Sequence, residues 1–178
     1  MLGYLKGSIT AHLGGRCLIQ VNNTGYWLQT GAWQPSGEVE VYLHHHVRED
    51  ISDLYAFEVL DDLELFEALI TISGIGPKAA LALLSLGSDS VRTAIATEDT
   101  ALLKRAPGVG LKAAQKVILE LKNTPHARIS TQAGGDELLM ALESLGYKQH
   151  EILPLLKLLP IELTDLNTQL RWALKQLS

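Results

Sequence analysis

The sequence predicts a multidomain α+β protein with an N-terminal β-barrel, a central all-α domain and a C-terminal bundle of three short helices. Three observations predict this fold. Residues 1–62 alternate polar and apolar residues between turn signals, residues 63–123 show helical periodicity with an internal repeat, and residues 136–178 are again helical in pattern. The chain has 178 residues, 47% hydrophobic and 20% charged, which suits two or three small globular domains.

Residues 1–62 are predicted to form about five β-strands. The stretch CLIQVNNTGYWLQTG places two short apolar runs around NNTG, which is a hairpin signal. EVEVYLHHHV and DLYAFEV alternate polar and apolar residues, and MLGYLKGSITAHL supplies a further strand. This spacing suits a small antiparallel barrel of the OB type, and a small β-sandwich or an open meander fits the same alternation.

Residues 63–123 are predicted to be helical throughout. The segment DDLELFEALITI would cap its helix with Asp61 or Asp62. DSVRTAIAT, DTALLKR and LKAAQKVILELK are each short and amphipathic, so they predict three further helices. The first helix of this domain would present one apolar face, made of Leu63, Phe66, Leu69 and Ile70.

A polar linker and a small helical domain complete the chain. Residues 124–135, TPHARISTQAGG, lack apolar periodicity and predict a flexible linker. Residues 136–178 predict three helices, the first ended by Gly146, and such a minimal bundle is typical of a docking module. Its expected core is Leu138, Leu142, Leu145 and Tyr147, with the docking surface on other exposed apolar residues.

Two segments of the central domain match at an offset of 34 residues: SGIGPKAALALL from Ser73 and PGVGLKAAQKVI from Pro107. Each predicts a sharp turn leading into a helix that begins at Pro77 or Leu111, and proline suits a first helical position. The apolar residue between each pair of glycines, Ile75 or Val109, is expected to anchor the turn in the core. The predicted binding residues are Gly74, Gly76 and Lys78 in the first copy and Gly108, Gly110 and Lys112 in the second.

The repeated turn predicts an anion site. Glycine permits unusual backbone angles and leaves no Cβ to block a close ligand. The N–H groups of a helix start carry the positive end of the helix dipole, so a nucleic-acid phosphate can dock there beside the lysine. A single copy would favour an ordinary helix–turn–helix connection, but two copies favour binding, and the unit resembles the helix-hairpin-helix motif.

Charge and composition restrict the function further. The net charge is −5, yet residues 63–124 carry seven bases against six acids, whereas residues 1–62 carry three against eight. The single cysteine, Cys17, cannot build a disulfide framework or a zinc knuckle. The longest apolar segment, EILPLLKLLPIEL, is too short and too interrupted to span a bilayer. A cytoplasmic protein without a metal, a cofactor or a membrane partner is expected.

The order of domains and several strings together resemble the RuvA family of Holliday junction branch-migration subunits. The strings are GYLKG, VRED followed by LYAF, LFEALI, GIGPKAALALL and LESLGYK, and they run nearly end to end. Departures are Leu111 where the family often has lysine, Ala106 for leucine, Ala56 for glycine, a short linker, and Pro154 within the expected middle helix of the last domain.

The resemblance implies a division of labour among the domains. It implies an OB barrel (1–62) forming a homotetramer core, with a face-to-face octamer also open, and a tandem helix-hairpin-helix domain (63–123) holding the arms of a four-way junction. It implies a UBA-like three-helix domain (136–178) that docks to RuvB, a hexameric ATPase, with RuvC resolvase as a further candidate partner. The chain itself would be a non-catalytic subunit acting in recombination and repair.

Two other functions fit parts of the sequence. APGVGLKAA also resembles the hairpin of helix-hairpin-helix DNA glycosylases, which need a nearby aspartate, but residues 123–135 contain no acid. An OB-fold binder of single strands would need exposed aromatics, and Tyr26, Trp27, Trp33 and Tyr42 are available. No GxxxxGK[ST] sequence is present, so no P-loop is expected.

The stretch HHHVRED, residues 44–50, carries three histidines and two carboxylates. In a strand, His44 and His46 would share one face and His45 the other, which leaves too few ligands for a closed metal site. The resemblance places Glu49 and Asp50 at a hairpin tip, the acidic pin. Because like charges repel phosphate, this tip is expected to keep strands apart at the crossover and to discourage binding of plain duplex.

Overall fold

The computed structural model describes residues 1–124, 135–148, 151–152, 155 and 165–177. The chain divides into two compact units, Met1–Ile129 and Ser130–Ser178. The first unit holds both the strands and the repeated turns. The predicted linker, 124–135, lies outside the described residues except at its two ends, so its flexibility stays a prediction.

Five strands close into a barrel in the order β1-β2-β3-β5-β4, which confirms the OB-type barrel and excludes a sandwich. Four of the five pairings are antiparallel, but the barrel closes through a parallel pairing of β3 with β5 that alternation alone does not indicate. The strands are β1 (Tyr4–Leu13), β2 (Arg16–Val21), β3 (Thr24–Gln29), β4 (Glu38–Arg48) and β5 (Ile51–Phe57).

The strand alternation divides β5 between two cores. Leu54 and Ala56 point into the barrel, where they pack with residues such as Ile19 and Leu43. Tyr55 and Phe57 point the other way and join the core of the helices that follow. One strand therefore ties the barrel to the helical part of the same compact unit.

Five helices follow the barrel within the described residues up to 124, and they confirm the all-helical prediction for this part of the chain. The apolar face of α1 includes Leu65 in addition to the expected Leu63, Phe66 and Leu69. Ile70 is only partly buried against the core. The helices are α1 (Leu60–Thr71), α2 (Pro77–Leu84), α3 (Ser88–Ala96), α4 (Thr100–Leu103) and α5 (Leu111–Leu121).

The predicted cap of α1 is wrong. The N-cap residue is Val59, with no side-chain hydrogen bond, and Asp61 and Asp62 lie inside the first turn. Phe57 is held in the helical core, so β5 ends there and the helix begins before the aspartates. They still face the positive end of the helix dipole, where a carboxylate is favourable.

The C-terminal unit contains α6 (Gly135–Ser144) and α7 (Leu166–Leu177), and residues 151, 152 and 155 are also helical. Its core contains the expected Leu138 and Leu142, and Tyr147 packs against it. Leu145 was predicted to be core but is 57% exposed, because it follows the last turn of α6. Pro154 lies outside the described residues, so its effect on the middle helix stays a prediction.

No described helix is both long and apolar enough to cross a membrane.

Candidate nucleic-acid interface

The two repeated turns have the same backbone conformation. Gly74 and Gly108 have φ of +97° and +83°, a region that favours glycine. Gly76 and Gly110 are extended, with φ, ψ of −94°, 173° and −85°, 174°. We call these turns the first hairpin loop (residues 73–76) and the second hairpin loop (residues 107–110).

The hydrogen bonds of the two loops also repeat at the offset of 34 residues. In each, one bond ends the preceding helix, one closes the turn and one starts the next helix. The similarity of all three shows that both loops are the same structural unit. The bonds run from Ile72 N to Leu69 O (3.1 Å) and Ala106 N to Leu103 O (3.2 Å), from Ile75 N to Ile72 O (2.9 Å) and Val109 N to Ala106 O (3.1 Å), and from Ala80 N to Gly76 O (3.0 Å) and Ala114 N to Gly110 O (2.9 Å).

In each loop the apolar residue is buried in the helical core, while the glycine backbone faces open space. Ile75 and Val109 are 4% and 5% exposed in the helical core, which confirms their predicted anchoring role. A Cβ built on any of the four loop glycines would meet no atom within 4 Å. The backbone of each loop is therefore accessible to a ligand that approaches more closely than a side chain would allow.

The helix that follows each loop starts without a side-chain cap. Pro77 and Leu111 occupy the first helical positions, as predicted, and the preceding glycines supply no capping oxygen. Free N–H groups of the first turn therefore point outward, with the positive end of the helix dipole behind them. Lys78 and Lys112 are the second residues of their helices, are exposed, and make no ion pair within the described ranges 1–124, 135–148 and 165–177.

Another lysine lies at the first hairpin loop. Lys116, on α5, donates a hydrogen bond from Nζ to the carbonyl oxygen of Ser73 at 3.2 Å, across 43 residues of sequence. The repeat pattern does not indicate this residue, because the contact joins one repeat to the other. The only signal in the sequence was its position one helical turn after Lys112, on the same helix.

The β4–β5 turn is a second exposed feature of the same unit. Glu49 and Asp50 form a two-residue turn between Arg48 and Ile51, which pair across the hairpin. All four residues are exposed. Neither carboxylate has an ion-pair partner in the part of the chain that the structure describes. We call residues 48–51 the acidic tip.

The three histidines of β4 divide as predicted. His44 and His46 share one face, with ring centroids 6.0 Å apart, and His44 Nδ1 lies 2.9 Å from Glu67 Oε1 on α1. His45 faces the other way, with Nε2 3.1 Å from Ser52 Oγ. Burial, Arg48 and His44 together lower the pKa of His46. The His44–Glu67 contact joins the barrel to the first helix of the central domain.

The described residues contain no group of three or more His, Cys, Asp and Glu side chains placed to hold a metal ion. A cleft of about 290 Å³ lies between the barrel and the helices, lined in part by Trp33, Phe57, Asp62 and Leu81. Its polar groups do not include the loop lysines, so it is separate from the hairpin loops.

Of the aromatics proposed for single-strand binding, only Trp27 is substantially exposed, at 41%. The guanidinium of Arg16 lies over its ring, 4.8 Å from the centroid. Tyr26, Trp33 and Tyr42 pack partly buried against the cores. Trp27 with Arg16 over its ring does not by itself form the row of stacking platforms that such binders use.

Comparison with known proteins covers nearly the whole chain. Residues 1–56 match the family model described as RuvA N terminal domain, residues 66–123 match SAM-like Helix-hairpin-helix tandem, and residues 134–178 match RuvA, C-terminal domain.

Full-length relatives carry the same description. The chain is 36% identical over 198 aligned positions to the "Holliday junction branch migration complex subunit RuvA" of Desulforamulus reducens, covering 100% of this chain and 98% of the relative. It is 33% identical to the protein of that name from Lachnospira eligens, with 99% of both chains covered. The Lysinibacillus sphaericus protein of that name is 38% identical over 85% of each chain.

Proposed function

The chain belongs to the RuvA family of Holliday junction branch migration complex subunits, and we propose that it binds four-way DNA junctions and recruits the RuvB ATPase that moves them. The observation that carries this proposal is the duplicated hairpin loop. Two loops with the same backbone and hydrogen bonds, each with an open glycine pair and a free lysine, suit two phosphates of a DNA backbone. Such contacts hold DNA without reading its sequence.

The residues proposed to hold phosphate are the glycines and lysines predicted from the repeat. Backbone N–H groups would donate to phosphate oxygens, and the lysines would add charge-assisted contacts. They are Gly74, Gly76, Lys78, Gly108, Gly110 and Lys112.

The acidic tip is proposed to supply structure specificity. Four copies around one axis would meet four arms, so we propose a homotetramer, with an octamer formed by two tetramers. Four tips would then bring eight negative charges of Glu49 and Asp50 to the crossover. Since like charges repel, a continuous duplex across this centre would be disfavoured, while a junction whose strands separate there would be accepted.

The C-terminal unit is proposed to dock to RuvB. Among its described residues, Met140 and Leu145 are large apolar side chains that are 55% and 57% exposed. Exposed apolar side chains on a small bundle suit a protein partner. The division into two compact units supports a docking module that acts separately from the junction-binding unit. RuvC is proposed as a further partner of the assembled complex.

The test is a competition gel shift with synthetic four-way junction, duplex and single-stranded DNA, using the full chain and a chain that lacks residues 136–178. Both proteins are expected to prefer the junction, and only the full chain is expected to stimulate branch migration by RuvB. Equal or better binding of single strands would refute junction binding. Undiminished stimulation by the shortened chain would refute the docking role.

A further inference from the structure

The two hairpin loops differ in where their neighbouring cations come from. Their backbones match bond for bond, so any difference in phosphate binding arises from side chains. The second loop has Lys112 at the start of its helix, and exposed Lys104 and Arg105 shortly before it in the chain, so all of its neighbouring cations belong to its own repeat. The first loop has Lys78 at the matching position and, in addition, Lys116 from the other repeat.

The first repeat has no counterpart of Lys116. Thirty-four residues earlier, the matching position on α2 is Ala82, which packs partly buried against the helical core. An alanine carries no charge, so the second loop receives no equivalent cation from the first repeat. The contact is therefore a feature of one loop only.

The position of Lys116 suits phosphate binding at the first loop. Its Nζ is 3.2 Å from the Ser73 carbonyl oxygen, which immediately precedes Gly74. An ammonium group has three donors, and this hydrogen bond uses one. Neither of the other two has a partner within the described residues. The space above Gly74 and Gly76 is open, so an anion on these glycines would come close to Nζ.

We infer that Lys116 is a phosphate-binding residue of the first hairpin loop, supplied by the second repeat. This inference rests on the proposed function. The bond to Ser73 holds the long side chain at the loop before DNA arrives, which reduces the conformational entropy cost of binding. The ligand is a backbone phosphate of a DNA arm.

The test measures junction affinity against salt concentration for the full chain and for Lys116→Met, Lys116→Arg and Lys122→Met. Methionine keeps the aliphatic chain and removes the charge, whereas arginine keeps the charge. Lys122 is a matched control because it is an exposed lysine that directly follows α5, already paired with Glu98.

Lys116→Met is expected to lower the slope of log affinity against log salt by about 0.9 for each phosphate that the protein no longer neutralises, and to weaken binding roughly fivefold or more near 0.15 M salt. Lys116→Arg should keep the salt slope and the affinity of the unaltered protein. Lys122→Met should change neither the slope nor the affinity.

An unchanged salt slope in Lys116→Met, with a steep slope in the unaltered protein, would overturn the inference and leave the proposed function standing. Failure of the unaltered protein to prefer a junction would overturn the proposed function itself. A purely structural tie between α5 and the loop predicts a lower unfolding temperature with an unchanged slope.

A second measurement needs no variant. Acetylation of surface lysines in the unaltered protein, followed by mass spectrometry, should show Lys116 protected by junction DNA and Lys122 not protected. Equal modification of Lys116 with and without DNA would overturn the inference even if Lys116→Met failed to fold.

Discussion

The hairpin loops and the acidic tip are short exposed turns of one compact unit, yet the charged residues at the loops and at the tip are opposite in sign. The loops display open glycine backbone and lysines, and the tip displays Glu49 and Asp50 on a two-residue turn. A surface of open backbone and lysines raises affinity for DNA of any shape. Discrimination among DNA shapes also needs a surface that repels the unwanted shape. The difference teaches that a net charge of −5 is compatible with DNA binding when the opposite charges occupy separate surfaces.

The largest expected loss of DNA affinity comes from substitution of the loop glycines. Gly74→Val with Gly108→Val should lower junction affinity by roughly two orders of magnitude, because a side chain would fill the open space and displace phosphate from the loop amides. The positive φ at both positions adds about 1–2 kcal/mol of strain each. The measurement is a binding titration together with thermal unfolding.

Gly146→Val is the matched control for strain. Gly146 has a φ of +94° and open space above it, but it lies in the C-terminal unit. It should lower stability without lowering junction affinity. An equal loss of affinity in this control would contradict a role for the loop glycines in binding DNA.

The next largest effect is expected at the acidic tip, where substitution should change the preference for junctions over plain duplex. Glu49→Gln with Asp50→Asn should raise affinity for plain duplex by about threefold or more at low salt, with a smaller gain at high salt because exposed charges are screened. Junction binding should change less, so the preference for junctions should fall. The measurement is the ratio of duplex to junction dissociation constants across salt concentrations.

Glu64→Gln with Glu120→Gln is the control for net charge. Both glutamates are exposed on helices, and their replacement removes the same two negative charges. A gain in duplex affinity as large as that of the tip variant would show that overall charge, rather than the position of the tip, sets the preference.

The smallest expected effect concerns the first helical position after each loop, which is proline in the first repeat and leucine in the second. Leu111→Pro should stabilise the protein by about 0.4–1 kcal/mol, because the first helical position tolerates proline and the chain loses less freedom on folding. Gly110 is already extended, as a residue before proline must be. Urea denaturation would measure this change in the free energy of unfolding. The reverse substitution, Pro77→Leu, should lower stability by a similar amount. Destabilisation by Leu111→Pro would contradict the equivalence of the two helix starts.

The local parts of this structure could be predicted from the sequence, since they depend on neighbours a few residues apart. Each hairpin loop is closed by bonds that span three or four residues, so the repeat of glycine, apolar residue and glycine was enough to place Ile75 and Val109 in the core. The strand alternation likewise placed His44 and His46 on one face. The roles of the loop residues and of the tip stay predictions until binding is measured.

Contacts between distant segments were decided only by the tertiary structure. The parallel pairing of β3 with β5 and the packing of Phe57 that starts α1 ahead of its aspartates both depend on elements far apart in sequence. The bond from Lys116 to Ser73 is of this kind, because folding one repeat against the other brings a lysine to a loop 43 residues away. Periodicity shows which residues share a face, but only the packed chain shows what that face meets.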